Sequence, residues 1–166
     1  GCKLMNCAHY DYYDSSRPIS FPVIDYSTND SWIHIAAING ESNIPVLLYN
    51  NYAPGKLFVW TIPEDFHDLY QLPPEVLRQI REILTPKFPV QIGGKAKIGL
   101  FVYDNNTFIV ESFLPHQTEV QLYVKTASGK LQDLLEDREI EAACANDQAV
   151  YTVNLKPGIY KIYKIR

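Results

Sequence analysis

The 166-residue chain lacks most of the signatures that name a function. No uninterrupted apolar stretch approaches the ~18 residues of a membrane-spanning helix. Only three cysteines are present, Cys2, Cys7 and Cys144. A disulfide framework needs a denser, even set, and a Cys2–Cys7 spacing is too wide for CxxC redox chemistry. They read as incidental thiols. Lys+Arg number 15 against 19 Asp+Glu, a net charge of −4. That balance offers no global field to a phosphate backbone or an anionic lipid surface, so no nucleic-acid partner is expected. The phosphate-loop and catalytic patterns GxGxxG, GxxxxGK[ST], HExxH and GxSxG are all missing, and no cofactor is expected. The chain begins with Gly1 and shows no charged segment followed by an apolar one, so Gly1 reads either as an added leading residue or as the start of a piece cut from something longer. Leu4-Met5-Asn6-Cys7 lacks the small residue of a lipoprotein cleavage box, and the compartment stays open.

What is present is β-sheet texture. The fold class expected is α+β, mostly β, with a small N-terminal α/β part and a C-terminal antiparallel sandwich. Residues 1–18 are polar and tyrosine-rich without lasting periodicity, and read as an irregular arm. Residues 19–87 form the α/β subdomain, with strands at Phe21–Tyr26, Trp32–Ile38, Pro45–Tyr49 and Leu57–Ile62. Asn50–Gly55 is the loop between the last two. Leu57–Trp60 is apolar on both faces, as in a central strand. A helical turn is expected around Glu64–Leu69. The main helix is expected at about 73–85, with Pro73 and Pro74 in its first turn. Val76, Leu77, Ile80, Ile83 and Leu84 make one apolar stripe, while Arg78, Gln79 and Glu82 lie on the polar side. Thr85-Pro86 ends it. Residues 88–166 read as about seven strands of a sandwich. Lys97–Tyr103 and Thr107–Phe113 flank the turn Asp104-Asn105-Asn106, because Asn tolerates positive φ. Val120, Leu122 and Val124 alternate with polar residues. Ser128-Gly129 turns the chain into Leu131–Leu135, and Val150–Leu155 faces Ile159–Ile165 across Lys156-Pro157-Gly158.

Candidate chemistry is sparse. Gly93-Gly94-Lys95 leads into a strand and reads as a hairpin turn rather than a phosphate loop. The histidines His9, His34, His67 and His116 are scattered. Cys7, His9, Asp11 and Asp14 are a cluster with mixed metal-ligand chemistry, but in an arm with little second-shell support, so no metal is expected. His67 beside Asp65 and Asp68 resembles a general-base pair, yet a capped surface helix with Asp65 at its N-terminus accounts for it. Glu111, Glu119, Asp133, Asp137, Glu139 and Glu141 are the carboxylates from which a sugar-hydrolysing pair would be drawn. They read as a charged, solvated face. Twelve tyrosines, seven phenylalanines and two tryptophans remain. Trp60 is expected in the core. Trp32, Tyr12, Tyr13 and Tyr52 are the ligand-contact candidates, with Tyr10 in a similar loop-like context.

Two segments resemble known families. Ile44–Tyr52 (IPVLLYNNY) followed by Gly55–Pro63 (GKLFVWTIP) is similar to the closing β-hairpin of glutamine-amidotransferase-like α/β domains in bacterial carbohydrate-processing proteins, with Pro54 where that pattern has a glycine. Asp133-Leu134-Leu135 with Val153–Ile165 (VNLKPGIYKIYKI) is similar to the C-terminal β-sandwich of many glycoside hydrolases. The resemblance implies a non-catalytic end of a bacterial multidomain protein, with no catalytic residue to carry over. The expected role is an accessory, structural module, partnered by upstream domains or by a second copy through sheet-edge pairing. The alternative is a carbohydrate-binding module that uses exposed aromatic residues.

Overall fold

The computed structural model describes residues 1–25, 31–40, 42–125, 130–145 and 148–166, and the side chains of Cys144 and Ala145 lie outside the description. The expected turn at Ser128-Gly129 and the end of the expected strand at Tyr26 fall outside it too. The fold is α+β and mostly β. Every described strand pairing is antiparallel. The chain divides into two compact units, Gly1–Val76 and Leu77–Arg166.

The first unit holds β1 (Lys3–Asn6), β2 (Asp11–Asp14), β3 (Trp32–Asn39), β4 (Ser42–Tyr52) and β5 (Gly55–Trp60) in one sheet of order β2-β1-β3-β4-β5. The supposed irregular arm is thus two strands, and β1 is inside the sheet. The reason is tertiary. Leu4 and Met5 pair with Ala37 and Ala36 of β3, which are buried small residues far along the chain. The reversal between β1 and β2 is closed by Tyr10 N–H donating to Asn6 O at 2.8 Å and Ala8 N–H to Asn6 Oδ1 at 2.9 Å. Tyr10 takes φ +59 to do so.

Phe21–Tyr26 is the opposite error. Residues 21–25 form no strand. Pro22, and Pro18 before it, have no N–H to give a ladder. Ile19 and Phe21 are nevertheless buried, and they border a cavity with Ile38 and Ile44. The β4–β5 hairpin is tighter than expected, with Tyr52 opposite Gly55 and only Ala53-Pro54 between them. Ala53 adopts φ +51. β5 is an edge strand, not a central one: Leu57 is 55% exposed and Val59 45%. Its two-faced apolarity therefore reports surface rather than double coverage.

A 3-10 helix at Phe66–Gln71 starts at Asp65, which accepts from His67 N–H. The α-helix α1 (Pro74–Leu84) follows. Val76 and Ile80 of the stripe are buried, Leu84 is exposed, and Arg78 meets Glu82 at 2.7 Å. Gln79 departs from the expected polar face: it is buried, and its Oε1 has no hydrogen-bond partner among the described residues. Gln79 lies three residues from Val76 and four from Ile83, so helical spacing sets it at the margin of the apolar stripe.

The second unit is a sandwich of nine described strands. They are β6 (Val90–Ile92), β7 (Ile98–Val102), β8 (Thr107–Ser112), β9 (Thr118–Val124), β10 (Leu131–Asp133), β11 (Arg138–Ile140), β12 (Ala143–Ala145), β13 (Gln148–Leu155) and β14 (Tyr160–Ile165). One sheet runs β11-β10-β14-β8-β7 and the other β12-β13-β9-β6. Phe108, Val110, Leu131 and Tyr163 of the first form one buried cluster with Val90, Leu122, Tyr151 and Leu155 of the second. Each such side chain removed from water contributes roughly 1.5–3 kcal/mol. The β7–β8 turn is where expected, with Asn106 at φ +62 and Tyr103 N–H donating to Thr107 O at 2.9 Å.

Two connections differ from expectation. β13 pairs with β9, whereas β14 lies between β10 and β8. Lys156-Pro157-Gly158 thus carries the chain between sheets instead of joining paired strands. Gly93-Gly94-Lys95 likewise is no hairpin turn, because β6 pairs with β9 and β7 with β8. Gly93 is required for space: a Cβ there would stand 2.8 Å from Cε2 of the Tyr123 ring.

Candidate functional site

The four aromatic residues singled out from the sequence all lie in the first unit, on separate parts of its sheet. Trp32 opens β3 opposite Tyr49, and is 60% exposed. Tyr52 closes β4 three residues beyond Tyr49, so strand alternation puts it on the other face. Tyr12 and Tyr13 are adjacent on β2 and point to opposite faces, with the Lys3 ammonium 5.7 Å from the Tyr12 ring centroid. Tyr10, in the β1–β2 reversal, is exposed. Trp60 is half-buried at the end of β5, and its indole Nε1 has no partner among the described residues. His67 Nδ1 is 3.1 Å from Asp65 Oδ1, and both side chains are well exposed. Hydrogen bonds from His67, backbone first, hold the Asp65 carboxyl below its ordinary value. That is cap geometry. Among the described residues no three His, Cys, Asp or Glu side chains are gathered as a metal would need.

The structure assembles two places that the sequence reading did not single out. The first is the outer face of the β7-β8-β14 sheet. Pairing sets Gly99, Glu111 and Tyr160 in one row and Phe101, Ile109 and Ile162 in the next. Phe101, Tyr103, Ile109, Glu111 and Tyr160 line a shallow cleft of about 270 Å³. Phe101, Tyr103 and Tyr160 are each about half exposed. Gly99 makes room beneath them: a Cβ there would meet the Phe101 and Phe113 rings at 3.2 Å. Glu111 has no ion-pair partner among the described residues, so its carboxylate is an available acceptor beside flat apolar rings. The signal in the sequence was Phe101, Tyr103 and Ile109 on the polar parity of their strands, which is visible only once the face is known.

The second place is the inner end of the same sheet. By sequence, Asp133 belongs to a solvated charged face. It is instead 1% exposed, because β10 pairs with β14 and sets Asp133 opposite the buried Tyr163. Its Oδ2 accepts from Lys161 Nζ at 3.0 Å, and its Oδ1 accepts the backbone N–H groups of Leu135 at 3.0 Å and Glu136 at 3.2 Å. Lys161 also donates to Glu136, which in turn receives Arg138 Nε at 2.8 Å. Burial lowers the affinity of the Lys161 amine for its proton, but hydrogen bonds and charge from Glu136 and Asp133 outweigh it and hold the pKa above the ordinary lysine value. Burial, and then the negative charge of Asp133 and Glu136, push the Tyr163 phenol well above its usual range. Of the other carboxylates, Glu119 alternates outward on β9 and Glu139 pairs with Lys130 at 3.0 Å. Asp137 accepts from Gln132 at 2.8 Å, and Glu141 is exposed.

A comparison with known families fits this unit. Residues 89–165 match the family described as a probable glycosyl hydrolase, C-terminal domain. The match starts at the strand that opens the sandwich and ends in its last strand. The C-terminal resemblance to glycoside-hydrolase sandwiches is thereby supported. No curated protein and no solved structure gives a significant match to the chain.

Proposed function

We propose that this chain is the C-terminal part of a larger bacterial carbohydrate-active protein, and that it serves there as a non-catalytic accessory module. The observation that carries the reading is the correspondence between the matched family segment and one complete sandwich with its own core. The state of the carboxylates supports it. Asp133 is committed to Lys161 and to two backbone N–H groups, and Glu111 stands among aromatic rings. A glycosidase pair requires two carboxyl groups flanking one bond. An antibody against this chain, used on its source cells, should detect a band far above 19.0 kDa. The purified chain should leave a panel of aryl glycosides unhydrolysed. A native band near 19.0 kDa, or turnover abolished by substituting one carboxylate, overturns the reading.

A second reading is favoured by the outer aromatic face. Phe101, Tyr103 and Tyr160 around Glu111 offer apolar planes for sugar-ring faces and an acceptor for hydroxyls. Electrophoresis of the chain through gels containing soluble polysaccharides tests it. Retardation that disappears in Phe101→Ala supports glycan contact, and equal mobility in every gel counts against it.

A further inference from the structure

A polar cavity of about 290 Å³ opens at the edge of the sandwich, where β11 and β14 of one sheet approach β13 of the other. Its walls include Arg138, Glu141, Thr152, Asn154, Lys161 and Tyr163. Tyr163 is the informative member. Its side chain is 1% exposed, its ring packs 5.4 Å from that of Phe108, and its hydroxyl has no hydrogen-bond partner among the described residues. The ring is buried, but the hydroxyl is not one of the fully buried polar atoms left without a partner, so it stays open to a polar partner from the cavity side. Tyr163 is one of the residues that line the cavity.

Charge decides what the cavity accepts. Arg138 and Lys161 on its wall are balanced by Glu139 and Glu141, and Asp133 and Glu136 behind them add two negative charges. An anion is disfavoured. Donors and acceptors are nonetheless both on offer. The Lys161 ammonium has three N–H groups and two carboxylate partners, the Arg138 guanidinium spends its Nε on Glu136, and Thr152, Asn154 and Tyr163 each both donate and accept. The volume is at the small end of ligand pockets, which run from roughly 300 Å³ upward. That is room for one ring, not a chain.

We propose that this cavity is a binding site for a single neutral sugar ring, held by its hydroxyl edge. The proposal rests on the carbohydrate association proposed above, but it is tested separately from it, on the isolated chain. The measurement is amide and tyrosine-ring chemical-shift change on titration with glucose, galactose, mannose and N-acetylglucosamine, with glucuronate as the anionic comparison. A neutral sugar should shift resonances of Thr152, Asn154 and the Tyr163 ring, and glucuronate should bind more weakly. Tyr163→Phe, which keeps the ring on Phe108, should weaken binding about three- to tenfold. Asn154→Ala, at an exposed position, should weaken it without a folding risk, and Leu84→Ala, at an exposed position outside both faces, should leave it unchanged. No shift at these residues up to the solubility of all four neutral sugars overturns the site. Tighter binding of glucuronate overturns the charge argument, and shifts confined to the outer face move sugar binding there and overturn this site. None of these outcomes alters the native-mass test of the accessory reading.

Discussion

Asp133 is where the structure makes its most specific demand. Asp133→Ala removes the acceptor for Lys161 Nζ at 3.0 Å and for the N–H groups of Leu135 and Glu136 at 3.0 and 3.2 Å. Removing one partner of a buried pair costs about 3–5 kcal/mol, because the other charge is left uncompensated. Lys161 keeps Glu136, whose side chain is 45% exposed and well solvated, so the low end applies. The expected loss is about 3 kcal/mol. Asp133→Asn keeps one oxygen for the backbone donors and loses only the charge, so about 1–2 kcal/mol is expected. The double variant Asp133→Leu with Lys161→Met removes both charges and should return to within about 1 kcal/mol of the parent. Urea unfolding followed by circular dichroism gives the free energies. The ring resonances of Phe108 and Tyr163 assign the transition to the second unit. A loss under about 0.5 kcal/mol for Asp133→Ala would show that solvent reaches the pair and that its burial contributes nothing. A double variant as unstable as the sum of the single ones would refute the charge-compensation argument.

Three further outcomes can be measured on the same chain. The raised pKa of Lys161 means that its ion pairs contribute fully below the ordinary lysine value of 10.5 and are lost as pH rises through the higher folded value. The stability difference between the parent and Lys161→Met should therefore be constant up to about pH 10 and shrink above pH 10.5 in urea titrations. Ala53→Gly should stabilise the first unit by about 1 kcal/mol, since Ala53 holds φ +51 in the β4–β5 turn and glycine adopts that conformation without a Cβ penalty. A lower urea midpoint for that variant would contradict it. Gly93→Ala should cost about 1–3 kcal/mol, because its Cβ would meet the Tyr123 ring at 2.8 Å. That ring is itself held, by its hydroxyl donating to Gln121 at 2.5 Å and by Arg78 over its face at 5.5 Å. A neutral Gly93→Ala would show that the ring turns aside freely.

Local chemistry alone determined much of this protein. The helix from Pro74 to Leu84 follows from two prolines, one apolar stripe and a Thr85-Pro86 stop, and the β7–β8 turn follows from Asn105-Asn106. The period-two pattern around Val120 gave a half-buried strand, and the likeness of the C-terminal sandwich to glycoside-hydrolase C-terminal regions was legible in the run from Val153 to Ile165. These features depend on residues near in sequence, where φ preference and hydrophobic period act directly. Tertiary structure decided which strand pairs with which, and therefore which side of a residue meets water. β1 is a strand because distant Ala36 and Ala37 accept it, and β5, whose apolar residues are exposed, ends its sheet among the described residues. Phe101 and Tyr160 are 59 positions apart in the numbering, and they border one cleft because β8 stands between their strands. Asp133 looks like any surface aspartate until β10 pairs with β14 and places it beside Lys161, sealed from solvent. Pairing is a long-range choice made by the summed burial of the whole core, and no window of neighbouring residues carries that information.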